Sequence, residues 1–494
     1  MSLLEQLASW AAEISFDDIP PLVVAYAKNQ VLSQLAAARA GMAHPLGKSI
    51  VNSFGSPLQP DPKSSAYVLA ALTMCLDFDD TAFAGHLSHS CVNVPLAYAR
   101  QLQLDGKSLL TAIVAANECA ARIGAAATLG PHRGQTASHI HLVGSVVGRL
   151  HAQKAAASYW VDALGIAMAM PNWALIPAFM GSDAKLFTAA IPVRTGLDAV
   201  DAALAGLHGL ANILETENGF LQKFADVPLP EIVTKGLGTR WHTQTISFKI
   251  YPGCAYLDSA VDCAIALHAE LAAQFSLNEL VGSITSIKLH ASIFTVGMDI
   301  ESEPFVRGPD SPLSALNFSS NYAVATALAY GTLSPSDFLP DQRNDPVRWA
   351  LATKVQVVLD LELTERSLLA TAPLGEALRE GGTSAAEWLA SKGGEYGSQL
   401  ATKLGGPSSD FAQATKSIGA RLEVELHDGT VLQKSCEAAK GSVGSSSPAQ
   451  QWALMVDKFL LTGGHQESIR AVENLEDLSP SRLAREVEGA LVLS

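Results

Sequence analysis

Ala420-Arg-Leu-Glu-Val-Glu-Leu-His427, then Asp428-Gly429, then Thr430-Val-Leu-Gln-Lys434, is the stretch that decides the fold class. Apolar and polar residues alternate on both sides of an Asp-Gly step, the pattern of two half-buried strands joined by a tight turn. A second alternating run, Val281-Gly-Ser-Ile-Thr-Ser-Ile-Lys-Leu-His290, supplies a further strand. Elsewhere the apolar period is helical. Helices are expected at Leu22 to Ala40, Ala66 to Leu76, Ser108 to Ile123 and Val193 to Leu210, and again at Ser320 to Ala329, Pro346 to Leu359, Ala449 to Leu461 and Ser479 to Leu491. The chain therefore reads as mainly α, with a large helical domain formed by residues 1–272 and a smaller α+β domain at 273–440. Residues 441–494 return to the helical domain after a flexible connection at Gly441-Ser-Val-Gly-Ser-Ser-Ser-Pro448.

Composition bounds the function. The chain has 494 residues, 48% hydrophobic and 16% charged, enough to bury a large core. Its net charge of −15 and lack of basic clusters argue against a nucleic-acid partner, yet a few local cations can still hold a small anion. The six cysteines form no CxxC pair, so no zinc knuckle is signalled and reduced thiols in a cytoplasmic setting are expected. The N-terminus lacks a secretory pattern. The longest apolar stretch, Ala163 to Gly181, contains Pro171, Asn172 and Pro177, and is expected to be buried structure rather than a membrane span.

Chemistry-bearing residues cluster. Asp77-Phe-Asp-Asp-Thr81 places three carboxylates after an apolar helical run, where they oppose the helix dipole and call for cations, backbone donors or a functional role. Two histidine clusters follow, Gly85-His86-Leu-Ser-His89-Ser90 and Gly134-Gln-Thr-Ala-Ser-His139-Ile-His141. Imidazole as a class titrates near neutrality and suits proton transfer. Lys185 and Lys249 stand in apolar surroundings, where an ammonium either snorkels or serves a site as carboxylate ligand or acid/base.

These segments, in this order, resemble the MmgE/PrpD family. Asp77-Phe-Asp-Asp-Thr81 with Gly85-His86 is similar to its "DFDDT…GH" segment, and His139 followed by Gly148 to its "HP…G" stretch. Lys185 followed by Gly196 matches a lysine-to-glycine spacing of that family. Leu214-Glu-Thr-Glu-Asn-Gly-Phe-Leu221 resembles "LEGERGFL", Lys249-Ile-Tyr-Pro-Gly-Cys254 resembles "KPYPCC", and Asn317-Phe-Ser-Ser-Asn-Tyr322 resembles "FSLPYA". The family holds 2-methylcitrate dehydratases, cis-aconitate decarboxylases and an iminodisuccinate epimerase. The resemblance implies a helical-bundle domain built from both chain ends, an α+β lid, a homodimer, and no metal or organic cofactor. It implies a site in which His86, His139, Asp77 and Lys185 carry catalysis, while Thr81, Lys249, Cys254 and Tyr322 bind substrate. Three positions depart from the pattern: Thr188 and Asp258 stand where histidines are expected, and Cys254 where animal decarboxylases have histidine.

The expected activity is that of a cofactor-independent lyase acting beside a carboxylate of a small di- or tricarboxylate, foremost dehydration of a 2-methylcitrate-like hydroxy acid. Decarboxylation of a cis-aconitate-like acid and epimerisation of a small dicarboxylate are the alternatives within the family. Outside it stand a metal-dependent hydrolase built on Asp79, Asp80, His86 and His89, and a non-catalytic helical scaffold. The expected partner is a small anionic substrate, with neither nucleic acid nor membrane involved.

Overall fold

The computed structural model describes residues 1–83, 85–131 and 138–493. Helices dominate, and the strands are few. Two long helices, Pro21–Ala43 and Gly106–Ala126, run through the interior, buried along almost their whole lengths. The second is long and apolar enough to cross a membrane, but its apolar window is wholly enclosed by protein, as suits a core helix. The Ser138–Ala152 and Phe187–Leu204 helices pack closely because Gly196 has no side chain. A Cβ there would lie 2.0 Å from Ser145 Oγ and 2.7 Å from Leu142 O. This is the close helix contact that frequent small residues favour.

Two short strands, β1 (Asp80–Thr81) and β2 (Ser247–Phe248), form an antiparallel clasp with Asp80 opposite Phe248 and Thr81 opposite Ser247. A four-stranded sheet contains β3 (Ile284–Ala291), β4 (Val355–Leu359), β5 (Ala420–Leu426) and β6 (Val431–Cys436) in the order β4-β3-β5-β6. β3 runs parallel to β4 and antiparallel to β5, and β5–β6 is the hairpin expected at Asp428-Gly429. Along β5 burial alternates strictly, with Ala420, Leu422, Val424 and Leu426 inside. The helix Asp258–Ala272 covers that face, where Cys263 Sγ meets Ala420 O at 3.7 Å.

Several expectations need correction. Pro346 to Leu359 is not one helix: the helix stops at Ala352, and β4 begins at Val355. Lys354 N closes the helix on Leu351 O while Ile287 N takes Lys354 O into the ladder. The β-branched Val355, Val357 and Val358 then favour the strand. The helix expected to reach Leu210 ends at Leu204. Ala163 to Gly181 is buried only at its ends, since Met170 is 78% and Leu175 70% exposed. Gly441–Pro448 is not a loose linker at its start: Phe248 N donates to Gly441 O, Val443 N to Ser247 Oγ, and Lys416 N to Val443 O. The C-terminal helix Pro448–Leu461 packs on Pro21–Ala43.

Candidate active site

The clasp decides which charges meet. Pairing β1 with β2 brings Lys249 N to Asp79 O at 3.2 Å and lays the lysine side chain across the acidic turn. Asp77 itself sits at φ 50, in the left-handed region that aspartate enters more readily than most residues. Gly253, at φ 111, donates to Leu76 O at 2.9 Å. A Cβ on it would lie 2.7 Å from Asn317 O, so only glycine fits.

Lys249 Nζ lies 2.7 Å from Asp77 Oδ1, 2.9 Å from Asp77 O and 2.9 Å from Asp79 Oδ1. An ammonium has three N–H donors, and three protein oxygens match them. Lys185 Nζ, held by the turn Asp183–Leu186, takes the other oxygen of Asp77 at 3.1 Å. It also lies over the ring of Phe318 at 4.8 Å. Burial acts to raise the Asp77 pKa, but Lys185 and Lys249 outweigh it and hold the carboxyl at about 2. Asp79 is held well below its ordinary range: burial opposes this, and His86, Lys249 and His89 prevail. Burial draws the Lys185 ammonium down, partly offset by Asp77. Lys249 goes up despite burial because two carboxylates flank it.

His86 Nδ1 meets Asp79 Oδ2 at 2.6 Å, and His89 Nε2 meets the same oxygen at 3.0 Å. His89 is fully buried, and its other nitrogen reaches Thr73 Oγ1 at 2.9 Å. His86 keeps 14% of its side chain exposed and lines a cavity of about 410 Å³. With Nδ1 bound to an ionised carboxylate, the tautomer that fits leaves Nε2 to accept a proton.

The same cavity takes in Asp77, Thr81, His139, Lys249 and Cys254. His139 opens the Ser138–Ala152 helix, with its ring edge-on to Phe220 at 4.9 Å. The Gly134–Ala137 part of its cluster lies outside the described residues. Burial pushes the Cys254 thiol up to about 12, so it is no thiolate nucleophile. Lys185 stands behind Asp77, outside the described lining. Tyr322, expected at the substrate, is elsewhere: its hydroxyl donates to Asp337 O at 2.5 Å, and its ring packs on Phe338 and Trp349.

Two lysines and one carboxylate role escaped the sequence reading. Lys416 Nζ donates to Thr81 Oγ1 at 2.8 Å and lines the cavity. Asp258, at the start of its helix, is its electrostatic neighbour. Burial raises Asp258 to about 8 and lowers Lys416 to about 8. Lys458, on the C-terminal helix, donates to Ser33 Oγ and Phe78 O at 2.8 Å and to Lys249 O at 2.9 Å, closing the back of the turn. Burial draws its ammonium down to about 7. Asp79 was visible as part of an acidic cluster and, beside His86 and His89, as a metal-ligand candidate; its role as the histidines' anchor comes from packing. Thr188, in place of a family histidine, spends its hydroxyl on Lys185 O at 2.7 Å.

The metal reading fares poorly on geometry. Donor atoms of Asp79, His86 and His89 do lie within 4.8 Å of one another. The Lys249 ammonium, however, already sits at 2.9 Å from Asp79 Oδ1, so a cation is in place. Asp80, the fourth proposed ligand, turns away to Ser88 Oγ at 2.5 Å and Gln30 Nε2 at 3.1 Å.

Comparison with known proteins agrees with this arrangement of segments. The chain is 27% identical over 287 residues to a cis-aconitate decarboxylase of Aspergillus terreus, a match covering 52% of this chain and 58% of that protein's length. It is 23% identical over 419 residues to the cis-aconitate decarboxylase-like protein oryM of Aspergillus oryzae, covering 76% of this chain and 84% of the relative. The family model of the MmgE/PrpD N-terminal domain matches residues 5–232, and that of the C-terminal domain residues 251–400. With both family domains present in order along one chain, this protein belongs to the MmgE/PrpD family.

Proposed function

We propose that the chain is a lyase acting at a carbon next to a carboxylate of a small organic acid, with His86 as the proton-transfer group. The observation that carries this reading is the 2.6 Å contact between His86 Nδ1 and the buried, ionised Asp79, made by a histidine that also lines the cavity. Asp79 accepts from Nδ1–H and favours the imidazolium that forms when Nε2 takes a proton. On a hydroxy acid of the 2-methylcitrate type, the C–H beside the carboxylate breaks and its proton passes to Nε2. The electron pair forms the double bond as the C–O bond breaks, and the leaving hydroxide takes the proton back from the His86 imidazolium and departs as water. Asp77, held near 2, stays a carboxylate throughout and cannot be the acid. Its role in this reading is to fix Lys185 and Lys249.

A second reading is favoured by the likeness to the cis-aconitate decarboxylase of Aspergillus terreus: loss of carbon dioxide from an unsaturated acid, with the histidine delivering a proton to the carbanion. Both readings share the site and differ in the leaving group. Incubating the purified chain with methylcitrate, citrate and cis-aconitate and measuring product masses separates them. Loss of water supports dehydration, and loss of carbon dioxide supports decarboxylation. Unchanged masses with every acid, alongside an intact fold by circular dichroism, would count against a lyase of this substrate class.

A further inference from the structure

Among the described residues, the cation left open for carboxylate recognition is one the family motifs do not mark. Four donors were expected to serve it: Lys185, Lys249, Thr81 and Tyr322. Lys249 has its three N–H groups matched by Asp77 and Asp79, Lys185 faces Asp77, and the Tyr322 hydroxyl is spent on Asp337. Thr81 remains, and it accepts from Lys416, so its own O–H is left to donate. Lys416 is the second ammonium among the described lining residues. The one hydrogen bond of its ammonium among the described residues is the 2.8 Å contact to Thr81 Oγ1, which leaves two N–H donors. It is 4% exposed, so an anion meeting it would do so away from bulk water, where a charge-assisted pair is strong.

Much of the remaining lining is apolar, with Glu301 a carboxylate among it. Phe179, Phe294, Met298, Phe318 and Trp388 line it together with Ile293. The volume of about 410 Å³ falls in the usual range of small-molecule pockets, roughly 300–1,000 Å³, and leaves room for a substituent beside a small acid. Carboxylates placed against that wall would lose water without gaining partners. An alkyl or aryl group would lose only unfavourable hydration.

We propose that Lys416, together with the Thr81 hydroxyl, is the carboxylate-binding element of this site, and that its substrate is an acid carrying an alkyl or aryl substituent seated against Phe294, Met298 and Trp388. The inference rests on the lyase reading for its choice of site, while the binding pattern it predicts needs no turnover. Calorimetric titration at pH 7 with succinate, benzylsuccinate and tricarballylate tests it. Benzylsuccinate is expected to bind about tenfold or more tightly than succinate, and more tightly than tricarballylate. Lys416→Met should weaken benzylsuccinate and succinate alike by about tenfold or more, with Lys416→Arg recovering most of the loss. Met298→Asn should weaken benzylsuccinate alone. Should Lys416→Met fail to fold, Thr81→Val gives the same reading through the hydroxyl. Tricarballylate binding as tightly as benzylsuccinate, unchanged binding in both Lys416→Met and Thr81→Val, or no binding of benzylsuccinate to the native chain would overturn the proposal. Intact binding with no turnover of any acid upholds it and refutes the lyase reading alone.

Discussion

Replacing Lys249 by Met is the sharpest test of how the site is held. The change keeps most of the side chain's volume and removes one charge. It deletes contacts of 2.7 and 2.9 Å to Asp77 and of 2.9 Å to Asp79, both fully buried. Removing one partner of a buried ion pair costs about 3–5 kcal/mol, because the remaining charge is left without compensation. Here Lys185 still faces Asp77 and two histidines still face Asp79, so the expected loss is at the lower end, about 3 kcal/mol. On a chain of this size the melting temperature should fall by roughly 3 °C. The dependence on pH has a fixed sign. In the native chain Asp77 is held at about 2 against an ordinary 3.8, so its contribution is present above the ordinary range and lost as pH falls through about 2. Without Lys249 burial is less opposed, and the Asp77 pKa rises. The deficit of the variant is therefore widest near neutrality and narrows on acidification. Thermal melts followed by circular dichroism from neutral to acid pH provide the assay. The double variant Lys249→Met/Asp77→Asn should recover about 1–2 kcal/mol of the loss at neutral pH. A single variant that melts with the native chain at pH 7, or a deficit that widens in acid, would refute the reasoning.

Two further outcomes are expected. His86→Asn should lower kcat about 10²–10⁴-fold on whichever acid the product screen identifies, while the fold survives, because the ring lines a cavity rather than filling the core. Steady-state kinetics showing kcat within threefold of native would remove His86 from the chemistry. Gly253→Ala should destabilise by about 1–3 kcal/mol, since alanine is strained at φ 111 and its Cβ would press on Asn317 O. A melting temperature equal to the native one would show that this loop yields.

The helical body was legible because apolar period and small-residue packing agree along it, and the β5–β6 hairpin was legible because alternation and Asp428-Gly429 point the same way. β4 was not: Val355 to Leu359 continues an apolar run from Pro346, and only its pairing with β3 separates strand from helix. At the site, Asp77, His86, Lys185 and Lys249 stood out as residue types in unusual company, and packing brings their charges into one cluster with Asp79. The sequence did not reveal that the two lysines are committed to carboxylates rather than open to a ligand. Tyr322 matched a motif yet points into a separate aromatic cluster. Lys416 and Lys458 carried no signal at all. Lys416 lies in an irregular segment and Lys458 on a helix of ordinary amphipathic pattern, and their importance arises from burial against distant parts of the chain, the Thr81 hydroxyl and the Phe78 carbonyl.

The clasp between β1 and β2 has a consequence for how the molecule acquires its charge pattern. The contacts that complete the site join residues 172, 335 and 380 positions apart in the chain. Closing loops of that length is slow and yields nothing until both ends arrive. Helices of the N-terminal half can form and pair early, and they bring Lys185 to Asp77, but the turn then still lacks Lys249, Lys416 and Lys458. The complete cluster therefore exists only in the finished molecule. A ligand that fits the cavity would bind the completed state alone and stabilise it in proportion to RT ln(1 + [L]/Kd), so a small acid that binds there would also act as a folding aid.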